Sequence, residues 1–253
     1  MSQIYFFTGK GGVGKSLLAE TFYDLLKTNH PKTILFHWPD SESDPSYTDA
    51  ILQYLSIKLH SSWIAQGLGK TDFFKSLINM LPGLKYLSLI GKLIMDTKNN
   101  SHLNIVIDGP SSGHALSILQ SPITFSKMFL AGSLKNDLAE IQSFLIDSLK
   151  FKLINVSLPT RLSIEESRET LETLNKNFPE LNAIKILNQS ILSLNLSTNI
   201  ISHSFLLKSK MEEETNLNLA SKQHHTVPLS LQENVANRKK DISPFLKFLI
   251  NDS

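Results

Sequence analysis

The chain has 253 residues, 41% of them hydrophobic and 19% charged, enough to bury a full core in one large domain or in a core with a subdomain. Its formal net charge is only +2 and it carries no long arginine or lysine block, so a nucleic-acid partner is not expected. It has no cysteine, which excludes disulfides, thiolate metal sites and thiol nucleophiles.

In chain order, the first apolar run is IYFFT, Ile4 to Thr8, which reads as a buried strand. It is far too short to cross a bilayer, and the N-terminal region lacks the features of a signal peptide, so a cytoplasmic location is expected. The strand runs into Gly9-Lys10-Gly11-Gly12-Val13-Gly14-Lys15-Ser16, which satisfies G-x-x-x-x-G-K-[ST], and then into an amphipathic segment, SLLAETFYDLLKT. Glycines let backbone N–H groups curl around phosphate oxygens, and the helix N-terminus adds positive potential. Lys15 meets the β- and γ-phosphates and Ser16 ligates Mg²⁺. Lys10 is a second lysine that this template does not explain. It would sit at the outer lip of the loop, either as a solvated cation or as one offered to a second subunit's nucleotide.

TILFH, Thr33 to His37, is the second strand, followed by WPDSESD. Tyr47 to Met95 is apolar at helical spacing, as is Ile123 to Leu149. These segments are expected to form a small helical subdomain above the strand ends, either packed as core or open as a groove for an apolar partner. Between them NIVID, Asn104 to Asp108, is an apolar strand ending in aspartate, the arrangement that holds Mg²⁺ opposite a phosphate loop. Asp108 is therefore the candidate metal residue. LINVS (Leu153 to Ser157) and IKILN (Ile184 to Asn188) are further strands, separated by the helical SIEESRETLETLNKNF. Buried strands alternating with helices predict a mostly parallel sheet covered on both faces, an α/β three-layer sandwich in one domain over 1–253. Asn182 to Asn218 reads as loop-rich, His224-His225 as a surface turn, NRKK as a solvated helix face, and PFLKFLI as a final packed helix.

The loop K-G-G-x-G-K-S resembles that of the deviant Walker A ATPases, and NIVIDGPSSGHALSILQSP is similar to the switch II signature of the ArsA/guided-entry family within that group. The spacing matches from Asp108 through Gly113, His114, Leu116 and Leu119 to Pro122. LPGLKYLSLIGKLI, VSLPTRLSIEESRETLETL, IKILNQSI and HTVPLSLQENV are similar to further family segments, so the resemblance covers nearly the whole chain. It implies a P-loop ATPase fold, with ATP and Mg²⁺ as cofactors and a homodimer, or a heterodimer with a related ATPase, in which Lys10 reaches the partner's nucleotide. Asn188 would recognise adenine, with Pro228 and Leu229 beside the base. Asp40 would orient the attacking water, with Glu42 or Asp44 as substitutes, although Ser41-Glu42-Ser43 replaces the family's Pro-Ala-His. The missing cysteines exclude a thiol metalloid site and a C-x-x-C zinc clasp, which leaves a short bacterial-type member with a protein or apolar cargo. Membrane contact would be indirect. The alternatives are a MinD/ParA-like positioning ATPase and a nucleotide-binding scaffold with little turnover.

Overall fold

A computed structural model describes residues 2–39, 44–58, 83–128, 133–192, 204–219, 224–230 and 232–251. The strands are β1 (Gln3–Gly9), β2 (Thr33–His37), β3 (Asn104–Asp108), β4 (Phe151–Ser157), β5 (Ala183–Ser190) and β6 (His225–Pro228). They form one parallel sheet in the order β2-β3-β1-β4-β5-β6. The helices are α1 (Lys15–Asn29), α2 (Pro45–Lys58), α3 (Leu84–Asn99), α4 (Ser112–Met128), α5 (Ser133–Ile146), α6 (Arg161–Asn177), α7 (Ser204–Leu219), α8 (Val235–Ile242) and a last turn, α9 (Phe248–Asn251), reached through a 3₁₀ turn at Ser243–Leu246.

The parallel sheet follows from β1 and β4, which are buried along their whole length, as strands covered on both faces must be. Alternate side chains of β1 enter two different cores. Tyr5 and Phe7 pack with Leu18, Phe22 and Leu26 of α1 and with Ile242, Leu246 and Leu249 from the C-terminal segment. Ile4 and Phe6 join a larger cluster that includes Tyr54 of α2, Ile90 of α3, Leu119 of α4, Phe144 of α5 and Leu174 of α6. The described parts of the segments expected to stand above the strand ends therefore lie against a sheet face as core. Much of their apolar surface meets strands such as β3, whose Ile105 and Ile107 share that cluster.

Two local solutions hold this layer together. Pro122 lies inside α4 and has no N–H for the carbonyl of Ile118, but Ser121 Oγ donates to that carbonyl at 2.7 Å. The Pro122 carbonyl in turn accepts from Gln142 Nε2 of α5 at 3.1 Å.

Three expectations are corrected. Most of the sixteen-residue helix α7 falls in the Asn182–Asn218 region, tied to the sheet by buried Glu213, whose carboxylate accepts from Ser190 Oγ and from the Ile191 N–H. His225 lies in β6, a sixth strand, and stacks on Phe248 with ring centroids 3.7 Å apart. NRKK lies on helix α8 with Asn237 and Lys240 exposed as expected, but Lys239 is paired with Glu20 and Asp24 of α1, at 3.0 Å each. The C-terminal apolar segment packs as expected, with Leu246 and Leu249 fully buried. Among the described residues no helix is long and apolar enough to cross a membrane.

Gly91 lets α3 approach α2 closely, since a Cβ there would lie 2.7 Å from Cε2 of buried Tyr54. Alanine gains roughly 1 kcal/mol of helix propensity at such a site, against an overpacking cost of roughly 1–3 kcal/mol. Valine forfeits most of the gain and adds two methyl groups. Gly91→Val is therefore expected to lower stability by about 2–3 kcal/mol in chemical denaturation.

Candidate functional site

The glycine loop begins where β1 runs out of room. A Cβ on Gly9 would stand 2.1 Å from the carbonyl oxygen of Val156 on β4, so the strand can end only in glycine. Gly14, at φ 85°, is the N-cap of α1 and provides no side-chain cap, so no side chain competes for the first N–H groups of the helix. A Cβ on Gly11 or Gly12 would meet nothing within 4 Å. The loop thus joins an unobstructed glycine backbone to an uncapped helix N-terminus at one place, an arrangement that favours anions.

That place is a cavity of about 420 Å³. Gly11, Lys15 and Ser16 form one side. His37, Trp38 and Pro39 from the end of β2, Tyr47 of α2, Tyr86 of α3, and Asp108 to Ser111 with His114 form the others. Asp108 sits at the end of β3, next to β1 in the sheet. The chain beyond it is pinned to β1, since the Gly109 N–H donates to the Phe7 carbonyl at 3.0 Å and Thr8 Oγ1 donates to the Pro110 carbonyl at 3.1 Å. Gly109 is required here, because a Cβ would lie 2.3 Å from the Phe7 oxygen. Asp108 Oδ2 lies 3.2 Å from His37 Nδ1, while Oδ1 is buried with no hydrogen-bond partner among the described residues. An orphaned, buried carboxylate oxygen beside a lysine and a serine hydroxyl suits a hard divalent cation that shares its remaining positions with phosphate and water. Among the described residues no group of three or more histidine and acidic side chains converges to hold a metal by itself.

Lys10 is absent from this lining. Its Nζ lies 2.7 Å from Glu166 Oε1 of α6, with both side chains more than a third exposed. The two lysines of the loop therefore diverge, Lys15 into the cavity and Lys10 onto the outer face.

Asn188 stands at an irregularity of the sheet beside the glycine loop. Between Leu187 and Ser190 the pairing of β5 with β6 shifts register, and Gln189 adopts φ 61°. This bulge accompanies a buried Asn188 whose Nδ2 donates to the Val13 carbonyl at 2.8 Å. A Cβ on Gly14 would lie 2.5 Å from that same Nδ2, so Gly14 and Asn188 fit as a pair. Pro228 ends β6, and the Leu229 N–H donates to the Ser190 carbonyl at 3.1 Å, which brings both close to the bulge.

Asp40 and Glu42 lie outside the described residues. Asp44 acts as a turn residue, its carbonyl accepting from the Tyr47 N–H at 3.1 Å. Sequence reasoning missed an aromatic wall. Trp38 Nε1 donates to Tyr47 Oη at 2.8 Å, and the Tyr47 and Tyr86 rings meet edge to face with centroids 6.0 Å apart. The available signal was Trp38 directly after a strand, where a large apolar ring must be covered by something.

No family model matches this chain, and no curated protein matches it.

Asn188→Ala would leave the Val13 carbonyl without its buried donor. A cost of about 1–3 kcal/mol is expected in thermal or denaturant unfolding. Amide exchange at Gly12 to Lys15 should be faster in the variant.

Proposed function

We propose that this chain is a Mg²⁺-dependent ATPase with a P-loop fold, related to the ArsA/guided-entry group of deviant Walker A ATPases. The observation that supports it best is the placement of the G-x-x-x-x-G-K-S segment. It forms an open loop between a central strand and an uncapped helix, facing an aspartate with a buried oxygen that has no hydrogen-bond partner among the described residues.

In this reading the N–H groups from Gly11 to Ser16 bind the β- and γ-phosphates, with Gly9 and Gly14 giving the loop its shape. The Lys15 ammonium neutralises charge between the phosphates. Ser16 Oγ and Asp108 hold the cation, which when bound screens the phosphate oxygens from an incoming nucleophile. Asn188 holds the loop through Val13 and, with Pro228 and Leu229, borders the adenine. Asp40 orients water for in-line attack. Trp38, Tyr47 and Tyr86 keep bulk water from one side of the cavity and link it to α2 and α3, so a change at the phosphates reaches the helical layer.

Lys10 acts between subunits. In a single chain Glu166 neutralises it, and closure of a homodimer, or of a heterodimer with a related ATPase, would exchange that carboxylate for the partner's phosphates. An exposed pair of this kind contributes roughly 1 kcal/mol or less, so the exchange is cheap. The cycle would be coupled to a protein with an apolar segment, and Met128 and Leu149, both more than half exposed, are apolar side chains available to it.

A second reading, a nucleotide-binding scaffold with little turnover, is favoured by Ser41-Glu42-Ser43 directly after Asp40. Phosphate release separates the two, because an ATPase loses turnover in Asp40→Asn with ATP binding retained, whereas a scaffold shows equal, negligible rates in both proteins.

Lys15→Ala removes a charge-assisted contact of roughly 1.5–3 kcal/mol, so ATP affinity should fall about 10- to 100-fold in equilibrium dialysis. Lys10→Ala should bind ATP normally and fail to dimerise with it in light scattering. Intact ATP-dependent dimerisation would remove Lys10 from the interface.

A further inference from the structure

The cavity holds one side chain that the proposed phosphate chemistry does not use. β2 and β3 pair in register with His37 opposite Asp108, so both side chains leave the same face of the sheet at the carboxyl ends of their strands. His37 does not serve packing, because its side chain is 58% exposed. As a surface partner for a carboxylate it would contribute little.

Its position has a closer fit to coordination. Two ligand atoms in cis positions on a six-coordinate ion, each about 2.1 Å from the metal, are about 3.0 Å apart. His37 Nδ1 and Asp108 Oδ2 are 3.2 Å apart, close to one edge of such a polyhedron, and Asp108 Oδ1 beside them is buried with no hydrogen-bond partner among the described residues. Ser16 and Lys15 line the same cavity. Without an ion, an Nδ1–H can donate to Asp108. With one, the Nδ1 lone pair is the ligand and the ring proton resides on Nε2.

We infer that His37 is an inner ligand of the divalent ion in this cavity, and that its imidazole shifts the site away from Mg²⁺ toward borderline cations such as Co²⁺. The inference rests on the nucleotide-site reading above. Imidazole nitrogen adds affinity for later first-row ions and almost none for Mg²⁺, which prefers oxygen. An ATP site of serine, aspartate, phosphate and water has much less of this bias.

The test uses the full chain with a β,γ-methylene ATP analogue, whose bridge carries no nitrogen that could couple to the ion. Calorimetric competition of Co²⁺ against Mg²⁺ is compared between the natural chain and His37→Ala, and pulsed electron paramagnetic resonance with Mn²⁺ looks for ¹⁴N coupling from a bound imidazole. The expected result is ¹⁴N coupling in the natural chain that is absent in His37→Ala, with the Co²⁺ over Mg²⁺ preference falling about tenfold or more. Analogue bound without ¹⁴N coupling, coupling that persists in His37→Ala, or an unchanged preference would overturn the role of His37 and leave the nucleotide site standing. No analogue binding with any of these ions would overturn the nucleotide reading and this inference with it.

Discussion

The carboxyl end of β1 is where three backbones crowd together, and the rest of the site is arranged around that crowding. Gly9 approaches the Val156 carbonyl of β4 on one side, and Gly109 approaches the Phe7 carbonyl from the end of β3 on the other. Any side chain at either position would separate the strands. Because both are glycines, the loop after β1 and the segment after β3 leave the sheet side by side. Lys15 and Asp108 thereby come to face one cavity despite standing far apart in sequence.

The sheet order reinforces this. β1 is flanked by β3 and β4, while its own connection runs through α1 to β2 at the edge. Right-handed crossovers then send α1 to one face and the helices after β2, β3 and β4 to the other, as the two core clusters reflect. Connections parting in this way open a crevice at the carboxyl ends of the strands, where α/β proteins bind ligands. Asn188 closes the arrangement from the far side, reaching from the β5 bulge to the Val13 carbonyl. A residue with positive φ that is not glycine, Gln189, marks the strain accepted to bring it there.

Much of this was legible in the sequence because it rests on local signals. Apolar runs identified five of the six strands, and the glycine spacing identified the loop and the divergence of its two lysines. β6 was missed because HTVP is short and is held mainly by its pairing with β5. α7 was missed because asparagine and serine weaken its apolar pattern and its anchor is a buried glutamate, which no hydrophobic period reveals. The aromatic wall and the His37–Asp108 pair depend on strand register and on helices brought from elsewhere in the chain. Asn188 stood out as an asparagine at a strand end, but its hydrogen bond to Val13 spans 175 positions and is a product of the fold alone.

The central claim is that the loop from Gly9 to Ser16 binds nucleotide phosphates opposite Asp108. A crystal structure of the full chain grown with a β,γ-imido ATP analogue and Mg²⁺ addresses it most directly. The account predicts triphosphate density cradled by the N–H groups of Gly11 to Ser16, Lys15 Nζ on the β- and γ-phosphates, and the Asp108 carboxylate facing the cation. Analogue bound elsewhere, or a loop cavity holding only water at saturating analogue, would contradict it.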